Sequence, residues 1–202
     1  MFEAFVEKCD TLKSSYFKWR AETLTVYKIF LSLTMASVTG LAAQVRLPLP
    51  FTPVPITGQT LAALLSGVLL GGGYGGLSQL FYVAMGVSGI PWFTGWSSGF
   101  SHLAGPTGGY IIGFIVAALF IGHITDNSKK PPGFILYLCY MLVANFILIY
   151  GLGLIQLYLW FQFVANAPVG IVELVNMGML PFIPGDITKA MAAAAIAKRL
   201  RS

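Results

Sequence analysis

Asp186 and Lys189 are the two residues of this chain whose types and spacing point most directly to chemistry. They stand three apart in Pro184-Gly185-Asp186-Ile187-Thr188-Lys189. Leu180, Phe182 and Ile183 precede them, and Ala190, Met191 and an alanine run follow. An i,i+3 spacing sets both side chains on one face of a helix. Ionisable groups with flanks this apolar are functional candidates by default, because hydrocarbon penalises charge. A helix opening here also aims backbone N–H groups and a positive dipole end at whatever binds. Acid, base and helix start together make a compact polar site for a small molecule with both donors and acceptors. The plain alternative, a helix cap with a weak ion pair, suits soluble helices better.

The composition says what kind of element must hold that pair. The chain has 202 residues, 56 % of them hydrophobic and 9 % charged, with a mean hydropathy of +0.78. Segments of roughly 17–25 apolar residues span a bilayer, and several occur. An all-α polytopic membrane protein is expected, with one membrane domain over 26–198 behind an N-terminal segment, 1–25. The net charge of +5 does not imply nucleic acid. Lys8, Lys13, Lys18, Arg20 and Lys28 precede or begin the first span, Lys129 and Lys130 share one connection, and Lys198, Arg199 and Arg201 close the chain. Six crossings place all three groups and both termini on the cytoplasmic side, as the positive-inside rule requires. Arg46 and Lys189 then fall toward the outside. Cys9 and Cys139 are the only cysteines, and no disulfide is expected between them. Charged residues spread through 1–22 argue against a cleavable signal.

Along the chain, Phe2, Phe5, Val6, Cys9, Leu12, Tyr16 and Trp19 recur at helical spacing. That pattern predicts an amphipathic helix on the inner leaflet, or a partner-docking helix. The first span covers about 26–45. Its Ser32, Ala36 and Gly40 share one face, and small residues let a second helix approach closely. That helix belongs either to this chain or to another membrane subunit. Pro48, Pro50, Pro53 and Pro55 then forbid a helix and favour a stiff extended segment, placed at the outer surface or over a cavity. Two short apolar stretches follow, 57–70 and 74–87, with Gly71-Gly72-Gly73 as a turn on the inner side. Residues 86–109 are too glycine-rich for a span and too aromatic for an idle linker. Trp92, Phe93 and Trp96 suggest a loop covering a ring ligand; an interfacial aromatic belt is the alternative. Further spans are expected at 110–125, 134–164 and 183–197, with Glu173 and Asn176 in a short outer connection before the last.

Enzyme signatures are missing from this pattern. His102 and His123 have no second ligand at metal-binding spacing. The glycines at 71–73 lack the Lys-Ser/Thr of a phosphate loop. Ser97 and Ser98 sit in no nucleophile elbow. A metal or cofactor is therefore not expected.

A set of motifs in order now carries a resemblance: Leu49-Pro50-Phe51-Thr52-Pro53-Val54-Pro55-Ile56-Thr57, Gln59-Thr60, Gly89-Ile90-Pro91, Gly105-Pro106-Thr107-Gly108-Gly109-Tyr110, and Pro184-Gly185-Asp186 with Lys189. From about Ala36 to Lys198 the chain resembles the BioY family, the biotin-binding S components of energy-coupling factor transporters. The resemblance implies a six-helix S-component fold in a prokaryotic cell membrane. It implies capture of biotin from outside, and release inside when coupled to a T subunit and two ATPases. Biotin would be the transported ligand, with no cofactor. Asp186 and Lys189 would reach the ureido end. Tyr82, Ser97 and Gly99 would line the pocket, and Trp92 and Phe93 would cover the thiophane ring. Lys189 and Arg46 are the charged candidates for the valerate carboxylate. Ser32, Ala36 and Gly40 would dock the T subunit. Ser98 stands where the family pattern suggests glycine, and Trp92 is bulkier than the usual aliphatic. The competing readings are an S component for riboflavin or thiamine, and a membrane-assembly protein. The pattern is compatible with a chain that acts alone, as a homo-oligomer or only with an energising module.

Overall fold

The computed structural model describes residues 23–128 and 132–201. The expected helix over 2–20, Cys9, Lys129 and Lys130 lie outside them. Helix α1 is Thr25–Gln44, and its buried face includes Ser32, Met35, Ala36, Thr39 and Gly40. The opposite face exposes Val26, Phe30, Val38 and Leu41, as a lipid-facing helix should. The small residues are used inside this chain. Ser32 donates a hydrogen bond to the Tyr74 carbonyl at 3.0 Å. A Cβ added at Gly40 would stand 2.9 Å from Trp92 Cβ. The expected docking face is thus corrected: Ser32, Ala36 and Gly40 are buried by their own fold, because close backbone approach is what small residues permit.

After α1 the chain forms a short antiparallel ribbon, β1 (Arg46–Leu47) with β2 (Ile56–Thr57), in register Arg46 to Thr57 and Leu47 to Ile56. The four prolines fall between β1 and β2. Proline has no N–H to give a ladder, so the ribbon stays two residues long.

Helix α2 is Gln59–Val87, broken at Gly71, whose φ is +83°. L side chains avoid that region, which suits glycine. The break is a reversal. Gln59 and Tyr82, 23 residues apart, are hydrogen-bonded at 2.7 Å, and a Cβ on Gly75 would lie 2.8 Å from Gly67 Cα. The two expected short helices are both present, and the turn is tighter than the expected three glycines. Asp126 Oδ2 accepts from Gly72 N–H at 2.9 Å. It satisfies a donor that the second leg leaves open at its start.

Helix α4 (Gly108–Asn127) packs on α2, after a single turn, α3 (Phe100–Leu103). Their approach is close: a Cβ on Gly67 would meet the Ala118 carbonyl at 2.6 Å. Helix α5 runs Phe134–Phe163 with a π-helical stretch, Ala144–Ile149. The expected outer connection contains a helix of its own, α6 (Ile171–Gly178), with Glu173 in its first turn. A 3₁₀ turn, Leu180–Phe182, leads into α7 (Ile183–Arg201), which packs on α2 and α5. Among the described residues α1, α4 and α5 are each long and apolar enough to cross a membrane, and α2 reaches that length only over both legs of its hairpin.

Candidate ligand-binding site

Asp186 and Lys189 lie one turn into α7 and meet as expected, with Lys189 Nζ 2.7 Å from Asp186 Oδ1. Asp186 is 3 % exposed, so its charge needs partners. They come from α5. Tyr150 O–H donates to Asp186 Oδ2 at 2.5 Å and Asn145 Nδ2 donates to the same oxygen at 3.2 Å. The π-helical stretch carries Asn145 and ends beside Tyr150, and such stretches recur at functional sites. The i,i+3 ion pair of the plain reading is present, and two donors from α5 join it. The Asp186 carboxylate is the centre of a four-residue cluster.

The bonding leaves a specific remainder. A carboxylate offers about four lone-pair sites. Oδ2 accepts from two donors and Oδ1 from Lys189, so Oδ1 keeps a place for one more N–H. Among the described residues Lys189 donates to Asp186 alone, and an ammonium has three donors in all. Acceptor and donor stand side by side, complementary to a group that pairs N–H with C=O.

Both residues line a cavity of about 50 Å³. Its wall is built by Val54, Pro55, Ile56 and Thr57 of the ribbon, by Gln59 and Thr60 opening α2, and by Thr94. Thr107, Tyr110, Ile111 and Phe114 of α4, Ile149 and Tyr150 of α5, and Phe182 complete it. The proline segment thus forms a wall of the site. Tyr110 O–H donates to the Gly178 carbonyl at 2.7 Å and ties α4 to the end of α6. A second cavity, about 310 Å³, shares Pro55, Thr94 and Thr107 with the first. Small-ligand sites begin at about 300 Å³, a scale that the adjoining pair reaches.

Other expected site residues are placed differently. Tyr82 is fully buried and acts through Gln59, whose other end accepts from Thr94 O–H at 3.2 Å. Phe93 is also fully buried, edge-on to Tyr82 at 5.3 Å. Trp92 donates its indole N–H to the Tyr82 carbonyl at 2.9 Å. These two aromatics hold the loop down, and neither lines the first cavity. Gly99, at φ +95°, lets the loop turn back, and its N–H reaches the Gly86 carbonyl at 2.8 Å. Ser97 bonds His102. Arg46 is exposed and packs its guanidinium against Gly95, outside both cavities. Gln59, Tyr110, Asn145 and Tyr150 are the site residues that the sequence reading missed. Asn145 had a usable signal: a polar amide midway through an apolar span is costly unless bonded.

A helical membrane protein with a short ribbon walling a charged, aromatic-lined cavity is the class that this architecture defines. A family model described as the BioY family matches residues 15–202, and this chain belongs to that family. A probable biotin transporter BioY of Methanothermobacter thermautotrophicus is 48 % identical over 136 residues, covering 67 % of this chain and 87 % of that protein. The biotin transporter BioY of Thermotoga maritima is 37 % identical over 153 residues, covering 76 % and 84 %. Each is named as a transporter rather than an enzyme. A crystal structure of the S component for biotin from an ECF-type ABC transporter superposes with a TM-score of 0.74 at 30 % identity, covering 87 % of this chain and 91 % of that one.

Proposed function

We propose that this chain is the biotin-capturing S component of an energy-coupling factor transporter. It crosses the cell membrane six times with both termini inside, the two legs of α2 counting as separate crossings. It binds biotin at the outer side and passes it inward when joined to a T subunit and two ATPases. The observation that carries the reading is the Asp186 Oδ1 and Lys189 Nζ pair at the cavity. One free acceptor site beside free ammonium donors matches the N–H and C=O edge of a cyclic urea. Tyr110, Ile111 and Phe114 supply the apolar wall that a small ring needs. Binding a ligand without the urea leaves those buried groups unmatched, so discrimination is strong.

The test is titration of the detergent-purified protein with biotin, riboflavin and thiamine, followed by tryptophan fluorescence and calorimetry. Saturable binding of biotin alone supports the reading. Binding of one of the other vitamins in its place keeps the fold and moves the substrate. Binding of none moves the weight to a membrane-assembly role.

A further inference from the structure

His102 carries an acceptor that nothing in the described structure uses. Ser97 donates its single hydroxyl proton to the Thr94 carbonyl at 3.0 Å. In its 2.9 Å contact with His102 Nδ1, the serine oxygen must therefore accept, and Nδ1 carries the hydrogen. The neutral ring then presents Nε2 as a bare acceptor. Nε2 is buried and has no partner. Orphaned buried polar atoms are rare in folded proteins and call for an occupant.

The ring is well placed to serve one. It stacks on Phe93 at 4.9 Å with planes 16° apart, so it cannot swing freely. It lines the second cavity beside Ser101 and Thr107. His102 is the one titratable residue in that wall, and no residue there carries a fixed charge. Phe93 and Ser97, which pack on the ring, do not titrate in the relevant range. Burial holds the imidazole pKa below its ordinary value, so the empty protein carries it neutral near pH 7.

We propose that the second cavity is the subsite for an anionic ligand tail, and that His102 is its anchor. On binding, Nε2 takes a proton from solvent and donates it in a hydrogen bond to the ligand carboxylate. Nδ1–H stays on Ser97 throughout. The cavities share Pro55, Thr94 and Thr107, so a ligand with its polar head at Asp186 has its tail directed into the second cavity. The inference rests on the biotin reading, in which the tail is the valerate. It moves the carboxylate away from the two earlier candidates: the remaining donors of Lys189 serve the urea edge beside Asp186 in the first cavity, and Arg46 lies outside both cavities.

The experiment titrates biotin and biotinamide, whose tail is neutral, into the full-length protein and into His102→Phe and His102→Asn. Phenylalanine keeps the stack on Phe93, and asparagine keeps a donor for Ser97. Melting curves identify whichever variant is folded. Biotin affinity is expected to fall about tenfold in the variants while biotinamide affinity stays within about twofold. Calorimetry at about pH 7.5 in buffers of different ionisation enthalpy is expected to show proton uptake on biotin binding to wild type, and none in the variants. An unchanged ratio of the two affinities, with no proton uptake, overturns the subsite alone. Wild-type protein that binds neither compound overturns the biotin reading and the subsite with it.

Discussion

The Asp186 cluster and the loop over 92–102 border the same cavity and are held in opposite ways. Each polar group of the cluster sits on a long helix, with Asn145 and Tyr150 on α5 and Asp186 and Lys189 on α7. The loop has little regular structure, and Gln44 from α1 is its main polar tie to that helix. Gln44 donates to the carbonyls of Trp92 at 3.2 Å and Phe93 at 3.1 Å, and accepts from Trp96 N–H at 3.1 Å. The recognising group is thus rigid by construction, while the cover is held by scattered single contacts: the Gln44 amide, the Trp92 indole on Tyr82 and Thr94 on Gln59. Precise hydrogen-bond geometry needs groups fixed on helices. Entry and exit of a ligand need a cover whose opening is cheap.

Four substitutions and a pH series sharpen that contrast. Asp186→Ala should have the largest effect, because it strands Lys189, Tyr150 and Asn145 in a buried place. About 3 kcal/mol of stability and at least about 100-fold in biotin affinity are expected to go, read by thermal unfolding and calorimetry. Gln44→Ala should separate the two regions. Binding weakens by about tenfold, carried by faster release as the cover loosens, and melting changes little; stopped-flow release rates decide this. Tyr150→Phe removes one of two donors to Oδ2. A loss of about 1–2 kcal/mol in stability should come with a modest fall in affinity. If affinity instead falls as far as in Asp186→Ala, Tyr150 touches the ligand itself. Trp96→Ala should change binding by less than about twofold, because that ring is 65 % exposed.

The smallest effect concerns pH. A histidine whose pKa is lowered by folding binds its proton more readily when unfolded. Stability of the empty protein should therefore decline as pH falls below the unfolded value of about 6.5. Melting curves between about pH 8 and 5 should show a shallower decline in His102→Phe than in wild type.

The long helices were legible because stretches of apolar residues of that length have few other uses. The Gly71 reversal was legible in position because three glycines interrupt an otherwise apolar stretch. The Asp186–Lys189 pair was legible because charge is rare in this chain. What the sequence could not show is which partners each group finds across space. Tyr150 and Asn145 lie 36 and 41 residues before Asp186, and nothing local links them. The loop aromatics misled for a related reason. Tryptophan and phenylalanine have the same apolar surface whether they cover a ligand or anchor a loop, and only the position of Tyr82 decides. Small residues on α1 were ambiguous in the same way, since close packing within a chain and between chains uses identical side chains.

The reversal at Gly71 also bears on how the protein enters a bilayer. The first leg of α2, 59–70, is 12 residues long, or about 18 Å at the rise of an α-helix. A hydrocarbon core is about 30 Å thick, so this leg does not cross one unaided. Its partner leg lies against it from the apex onward, and the polar backbone of the turn is shielded by Asp126 from α4. Two short helices that each fit the membrane poorly are thus expected to insert together, as one hairpin, with α4 arriving afterwards to close the apex.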